Sequence, residues 1–258
     1  MKTPRWLGSI VAVVYFFLHL PLLVLVVFSF NASRFSVEWS GFTLDWYRRI
    51  LERSDILAGL RISLVVGLVS TALSTVLGTL LALGLARHRF RGRATLESLL
   101  YVPLVTPEIV VGISLLILFA ALKIGLGVAT IVIAHVAFSI SFVTVVVLAR
   151  LAGMDRHLEE AALILGADEW TTFFRVTLPQ LLPGVLSGAL LAFTLSFDDY
   201  VITSFVAGSG SSTLPVVVYG MVRRNIEPTV NAISTLVLVF TSILIYLADR
   251  LGRERLAR

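Results

Sequence analysis

Cysteine does not occur among the 258 residues, so neither disulfide bonds nor thiolate chemistry can contribute. A phosphate-binding loop is missing too: Gly208-Ser209-Gly210-Ser211-Ser212 carries glycines but lacks the lysine and the following helix. No nucleophile–base arrangement and no His/Cys/Asp/Glu grouping with metal-ligand spacing is present. These absences point away from an enzyme and from any cofactor or metal held by this chain. Charge is scarce as well, at 14% of residues, and what there is falls between apolar runs rather than along one face. The net charge of +5 therefore reads as juxtamembrane arginine, not as a surface for nucleic acid.

What fills the chain is apolar: 57% hydrophobic residues and a mean hydropathy of +0.95. At about 1.5 Å per helical residue, six segments approach or cross a hydrocarbon core of roughly 30 Å. They lie near 7–30, 62–86, 99–121, 126–149, 182–207 and 232–248. The expected fold class is all-α, a polytopic membrane helical bundle forming a single transmembrane domain over 1–258. The first run follows Lys2 and Arg5 like a signal peptide, but it exceeds a signal core and lacks a clean small-residue cleavage site, so it reads as a retained span. An even number of spans puts both termini on one side. That side holds Lys2, Arg5, the compact cluster Arg87, Arg89, Arg91, Arg93, the 150–181 segment and the tail Arg250, Arg253, Arg255, Arg258. The arginine excess in short loops makes it the cytoplasmic side. In the 31–61 loop, Asn31 and Ser33 suggest a turn. Thr43 is placed to cap a short helix with Leu44, Tyr47, Ile50 and Leu51 on its apolar face, lying at the membrane interface with Trp46 and Tyr47.

Ionisable groups inside the apolar runs are the least expected residues, because a carboxylate near a span centre costs about 2.5–3.5 kcal/mol on insertion scales unless it meets water, protein or a cation. Asp198 and Asp199 lie past the middle of the fifth run. Neighbouring helical residues diverge by about 100°, so one of the pair faces a pathway while the other supports it. Glu108 follows Pro107, with Pro103 one turn earlier, which predicts a bent or discontinuous membrane segment; Glu108 either adds negative charge to a pathway or satisfies freed backbone N–H groups. Tyr200, Phe197 and Phe205 offer aromatic faces either to a cation or to helix packing. His135 stands alone in the fourth run and reads as a hydrogen-bonded packing residue rather than a metal ligand.

The segment 153–175 interrupts the apolar pattern. Leu158, Ala161, Ala162, Leu165 and Trp170 share one helical stripe, while Asp155, Glu159, Asp168 and Glu169 keep the remainder wet. Ala161 and Ala162 let another surface approach closely, and Gly166 permits a sharp change of direction between two short helices. Pro179 and Pro183 then terminate or redirect the chain where it re-enters the membrane. Such an insert serves as a docking lever, or else as an interfacial helix with no partner.

Glu160-Ala161-Ala162, then Gly166, then Val176-Thr177-Leu178-Pro179, resembles the EAA signature of permease subunits of binding-protein-dependent ABC importers; Val176 stands where isoleucine is common. The likeness extends to Asn31-Ala32-Ser33-Arg34-Phe35, Gly41-Phe42-Thr43, Thr106-Pro107-Glu108-Ile109-Val110, Ser196-Phe197-Asp198-Asp199-Tyr200 and Thr213-Leu214-Pro215. Over these residues the chain is similar to the C-type permeases of spermidine/putrescine importers, with Arg61-Ile62-Ser63-Leu64 departing from an Asn-Ser-Leu run common in relatives. The resemblance implies a type I importer permease fold of the MetI-like kind in a bacterial inner membrane. It implies a coupling helix carrying Glu160, Ala161, Ala162, Gly166 and Pro179 that fits a groove on an ATPase subunit. The implied partners are a second, homologous permease, two ATPase subunits that use ATP and Mg, and an external substrate-binding protein, besides membrane lipid. The pathway residues would be Asp198, Asp199, Glu108 and Tyr200. A permease for another small solute such as iron or thiamine, and an ion-coupled carrier using the same carboxylates, are the alternatives; the 153–175 insert and the lack of evident inverted repeats speak against the carrier.

Overall fold

The computed structural model describes residues 5–33, 38–155, 157–224 and 227–253, so that Lys2, Arg34, Phe35, Arg255 and Arg258 lie outside the described residues. In chain order the helices are α1 (Arg5–Phe28), α2 (Asp45–Glu52), α3 (Ser54–Arg87), α4 (Arg93–Val105), α5 (Glu108–Ala121), α6 (Val128–Ala152), α7 (His157–Ile164), α8 (Glu169–Thr172), α9 (Leu178–Asp198), α10 (Val201–Val206), α11 (Leu214–Arg224) and α12 (Pro228–Arg253), with a wide π turn, Phe173–Thr177, joining α8 to α9. No strand occurs among the described residues beyond an isolated bridge between Asn31 and Phe42, as the all-α expectation requires. Five helices are long and apolar enough to cross a bilayer, and α4 with α5 supplies a sixth candidate if that bent pair counts as one span.

Two compact units make up the chain: residues 1–57 with 217–241, and residues 58–216 with 242–258. In the first, Asn31 organises the loop after α1. Its side-chain amide donates to Glu38 O at 2.7 Å and its carbonyl oxygen accepts from Ser40 N at 2.9 Å, while Trp46 Nε1 donates to Asn31 O at 2.7 Å. Phe30 stacks on Phe42 and against Tyr47. The cap expected at Thr43 is displaced: its hydroxyl accepts only from Asp45 N, and Leu44 occupies the N-cap without a side-chain bond. The buried face of α2 is Trp46 and Ile50, whereas Leu44 and Leu51 are exposed, because the indole must reach Asn31 O to satisfy both groups.

The second unit is built on close approach of α9 to α6. Gly184 lies against the stem of Arg150, where an added Cβ would stand 2.6 Å from the arginine Cβ. Arg150 Nε in turn donates to Gln180 O at 2.9 Å, tying the end of α6 to the start of α9. Val143 and Val147 of α6 pack with Ala82 of α3 and Leu181 and Ala192 of α9 in one buried cluster. A second cluster joins Val66, Phe119, Ile131, Ala134, Ile202 and Val206, and so seats α10 against α5 and α6.

Three breaks in the apolar runs have identifiable causes. Between α4 and α5 the axis turns by 111°. Thr106 is extended (φ −73°, ψ 131°) ahead of Pro107, as a residue before proline is, and Val110 N and Val111 N restart the ladder on Pro107 O. This is the discontinuous segment that Pro103, Pro107 and Glu108 predict. The expected run 182–207, by contrast, is two helices: α9 stops at Asp198 and α10 begins at Val201. Hydropathy merges them because the residues on both sides of the break are apolar. The expectation that Pro179 and Pro183 end or redirect the chain is also corrected, since helix continues from Glu169 to Asp198. Leu178 N reaches back five residues to Phe173 O, and this wide turn directly ahead of Pro179 lets the helix pass the proline.

Replacing Gly184 by valine forces its branched side chain into the Arg150 stem and is expected to cost about 1–3 kcal/mol. A lowered thermal midpoint of the detergent-solubilised protein, absent in Gly8→Val where no atom lies within 4 Å, checks this.

Candidate functional site

Around the break between α9 and α10 the chain forms a cavity of about 320 Å³. Its wall includes Pro103 and Thr106 of the α4–α5 bend, Glu108 and Val111 of α5, Phe138 and Phe142 of α6, and residues 194–195 and 198–202. All four pathway residues expected from sequence, Asp198, Asp199, Glu108 and Tyr200, therefore line one space. The lining carries three carboxyl groups and neither lysine nor arginine.

The two aspartates do not share an environment. Asp199 is buried, with 5% of its side chain exposed. It is extended (φ −66°, ψ 124°), and its carboxylate accepts from Thr203 N at 2.8 Å, Thr203 Oγ1 at 2.7 Å and Ile202 N at 3.3 Å. It thereby supplies acceptors to the first amides of α10, which have no partner within that helix. His135 Nε2 lies 3.2 Å from the same carboxylate and 3.0 Å from Thr203 Oγ1. Asp198 is exposed, and among the described residues neither it nor Glu108 has a hydrogen bond or an ion pair. Divergence of the pair follows from a break in the backbone rather than from the 100° helical step expected, because Asp199 has left the helix.

Glu108 stands in the first turn of α5, exposed, and the amides of Val110 and Val111 donate to Pro107 O rather than to this side chain. Phe197 is buried and lies off the cavity wall, stacked on Phe193; Phe205 packs over Gly112. Those two aromatic rings are packing residues, while Tyr200 reaches the cavity.

A second surface is the helical hairpin that begins at α7. Asp155 accepts from His157 N at 3.0 Å and opens the helix. At the other end Gly166 adopts φ +89°. Gly166 N bonds Leu163 O and Ala167 N bonds Ala162 O, the paired bonds of a Schellman motif. Asp168 then caps α8, accepting from Thr171 N at 3.1 Å. The Thr171 hydroxyl and backbone N–H hold the Asp168 carboxyl below its ordinary range. Glycine is demanded by the left-handed turn, so the change of direction expected at Gly166 is present. No α7 residue is buried. Glu160 is exposed beside His157, Ala161 is exposed, and Ala162 is half-buried. At the tip Ile164 is 86% exposed, Leu165 87% and Trp170 72%.

Sequence reasoning missed Glu159, assigned to the wet face. Its carboxylate meets Arg87 of α3 at 2.5 Å and accepts from the Thr177 hydroxyl at 2.6 Å, so α7 is tied to α3 and to the π turn through one side chain. The signal available was Thr177 inside Val-Thr-Leu-Pro and an arginine at the end of an apolar run. The group formed by His135, Ser70 and the nearby pair Ser196 and Thr203 carries no such signal, because the three places are far apart in sequence and each residue is ordinary alone.

The long apolar helices, the two breaks beside an acidic cavity and the exposed turn at Gly166 are those of a polytopic membrane protein. Residues 74–255 match the family described as binding-protein-dependent transport system inner membrane component, and the chain belongs to that family. It is a multi-pass permease of the ABC importer class. It is 38% identical over 248 residues to the spermidine/putrescine transport system permease protein PotC of Escherichia coli K12, covering 96% of this chain and 94% of that one. With the putrescine transport system permease protein PotI of the same strain the identity is 40% over 250 residues, covering 94% and 89%. Among solved structures, a bacterial ABC transporter that imports the acidic polysaccharide alginate shares the fold, with TM-score 0.76, 14% identity, and coverage of 97% and 95%.

Gly166→Ala places a Cβ on a left-handed residue, at about 1 kcal/mol. Limited proteolysis of the 157–177 hairpin is expected to quicken about fivefold, while Gly153→Ala, at φ −91°, leaves the cleavage rate unchanged.

Proposed function

We propose that this chain is the permease subunit through which a polyamine such as spermidine or putrescine crosses the membrane, driven by ATP hydrolysis in partner subunits. The observation that carries this reading is the cavity wall with Asp198 and Glu108 unpaired and no cationic side chain opposite them. A carboxylate and an ammonium group about 4 Å apart attract by about 4 kcal/mol at an effective dielectric of 20, and an anion or a sugar gains nothing comparable. Phe138, Phe142 and Tyr200 suit the methylene chain between the ammonium groups and the groups themselves. The similarity to permeases named for spermidine and putrescine supports the same cargo. An alginate transporter shares this fold and imports an acidic polysaccharide, so in this reading the charge preference is assigned to cavity side chains and not to the fold.

The partners in this reading are a second permease of the PotB kind, two ATPase subunits of the PotA kind and an external binding protein of the PotD kind. Support for the last includes the alginate transporter solved in complex with a periplasmic protein carrying a pentasaccharide. The chain itself binds no cofactor and catalyses nothing; ATP and Mg belong to the ATPases. The α7–α8 hairpin is the coupling segment, on the cytoplasmic side of the bacterial inner membrane together with both termini. Ala161 and Ala162 allow close approach, Glu160 gives a polar contact, and Ile164, Leu165 and Trp170 lose their water on docking, each gaining about 1.5–3 kcal/mol. The Glu159–Arg87–Thr177 contacts then pass the motion of the hairpin to α3 and α9.

In proteoliposomes containing the assembled transporter, Asp198→Asn is expected to lower polyamine uptake about tenfold, the equivalent of about 1.4 kcal/mol, with assembly intact. Asp199→Asn removes an acceptor from the α10 amides and is expected to lower the amount of assembled complex instead. Normal radiolabelled uptake in Asp198→Asn would reject the electrostatic reading.

A further inference from the structure

The cavity floor is held from behind by a side chain that does not touch the cavity. His135 of α6 is fully buried. Its Nε2 lies 3.2 Å from Asp199 Oδ2 and 3.0 Å from Thr203 Oγ1, and its Nδ1 lies 2.7 Å from Ser196 Oγ. The Ser196 hydroxyl is 2.9 Å from that of Ser70 on α3, which also donates to Val66 O at 2.7 Å. A carboxylate cannot donate, and the Thr203 hydroxyl already donates to Asp199, so Nε2 carries a proton, while Nδ1 pairs with the Ser196 hydroxyl. Both ring edges are thereby used, one on each side of the break that ends α9.

We propose that His135 is a positioning residue for the cavity. Through Nε2 it fixes the Asp199 carboxylate onto the first amides of α10, and through Nδ1 it ties that assembly to Ser196 and α3, so that Asp198 rather than Asp199 faces the cargo. The role rests on the cavity being the cargo path, but the geometry it controls does not. A buried polar network of this kind is rigid when every member is satisfied and loosens when one is removed. Loss of the Nε2 contact leaves Asp199 with only the local bonds from Ile202 and Thr203, and α10 is then tied to α6 by apolar packing and by Thr130 Oγ1 on Val206 O at its far end, not at the break.

The absence of cysteine gives a direct readout, since Ile202→Cys introduces a single thiol at a site 2% exposed in the first turn of α10. In the assembled transporter this thiol is expected to resist a membrane-impermeant maleimide from either side. With His135→Ala or His135→Asn added, labelling is expected to rise at least fivefold, because the asparagine amide reaches the Nδ1 position only. His135→Gln, which restores a donor near Nε2, is expected to keep the thiol protected. In the cysteine-free background, putrescine carried per ATP hydrolysed is expected to drop at least fivefold in the alanine and asparagine variants and to recover to at least half in the glutamine variant. Equal protection by asparagine and glutamine, or an unreactive thiol in His135→Ala, would overturn the proposal; should the alanine variant not accumulate, the asparagine–glutamine comparison decides alone. A parent transporter that carries neither putrescine nor spermidine would sink the polyamine reading, and the labelling pattern would still decide the role of His135.

Discussion

A chain that interrupts its helices inside hydrocarbon must find partners for the amides each interruption releases, and the Asp199 carboxylate is that partner at the break on which the cavity depends. One residue stops α9, leaves the helix and accepts from the start of α10. The charge of Asp199 is thus structural, and the neighbouring carboxylate is left unpaired. Two adjacent acids that look equivalent in sequence divide these tasks because backbone direction changes between them.

The α4–α5 bend solves the same problem without charge. There the backbone itself supplies the acceptor, Pro107 O, and the proline removes one donor that would otherwise need satisfying. Glu108 is consequently released from any capping duty and stays available at the cavity wall. Both breaks open toward one space, and the packing of α10 against α5 and α6 brings them together. The hairpin of α7 and α8 repeats the logic outside the apolar spans: a Schellman turn at Gly166 closes one helix, and Asp168 opens the next.

Much of this was legible in the residues. Apolar runs mark the spans, Pro107 marks a break, and Glu160 to Gly166 marks a hairpin with its turn. The second break was not legible, because Asp199-Tyr200-Val201 carries neither proline nor glycine and its cause is a side chain folding back onto amides three and four residues ahead. Pro179 misled in the opposite direction: a proline signals an end, yet a single wide turn before it lets the helix continue. Glu159 and Arg87 are 72 positions apart, and nothing in a helical stripe distinguishes an acid that meets solvent from one that meets a distant arginine. His135 was readable as hydrogen-bonded, but its partners Ser196, Asp199 and Thr203 lie 61 to 68 residues further along the chain, and only folding names them.

The tip of the α7–α8 hairpin leaves Ile164, Leu165 and Trp170 wetted on a turn that is rigid rather than collapsible, since Gly166 and Asp168 fix its shape. Such a knob cannot hide its oily side chains by refolding onto itself. A cell that makes this subunit in excess of whatever covers the knob therefore accumulates a sticky orphan, a target for degradation, so balanced synthesis of the subunits is a demand written into one short turn.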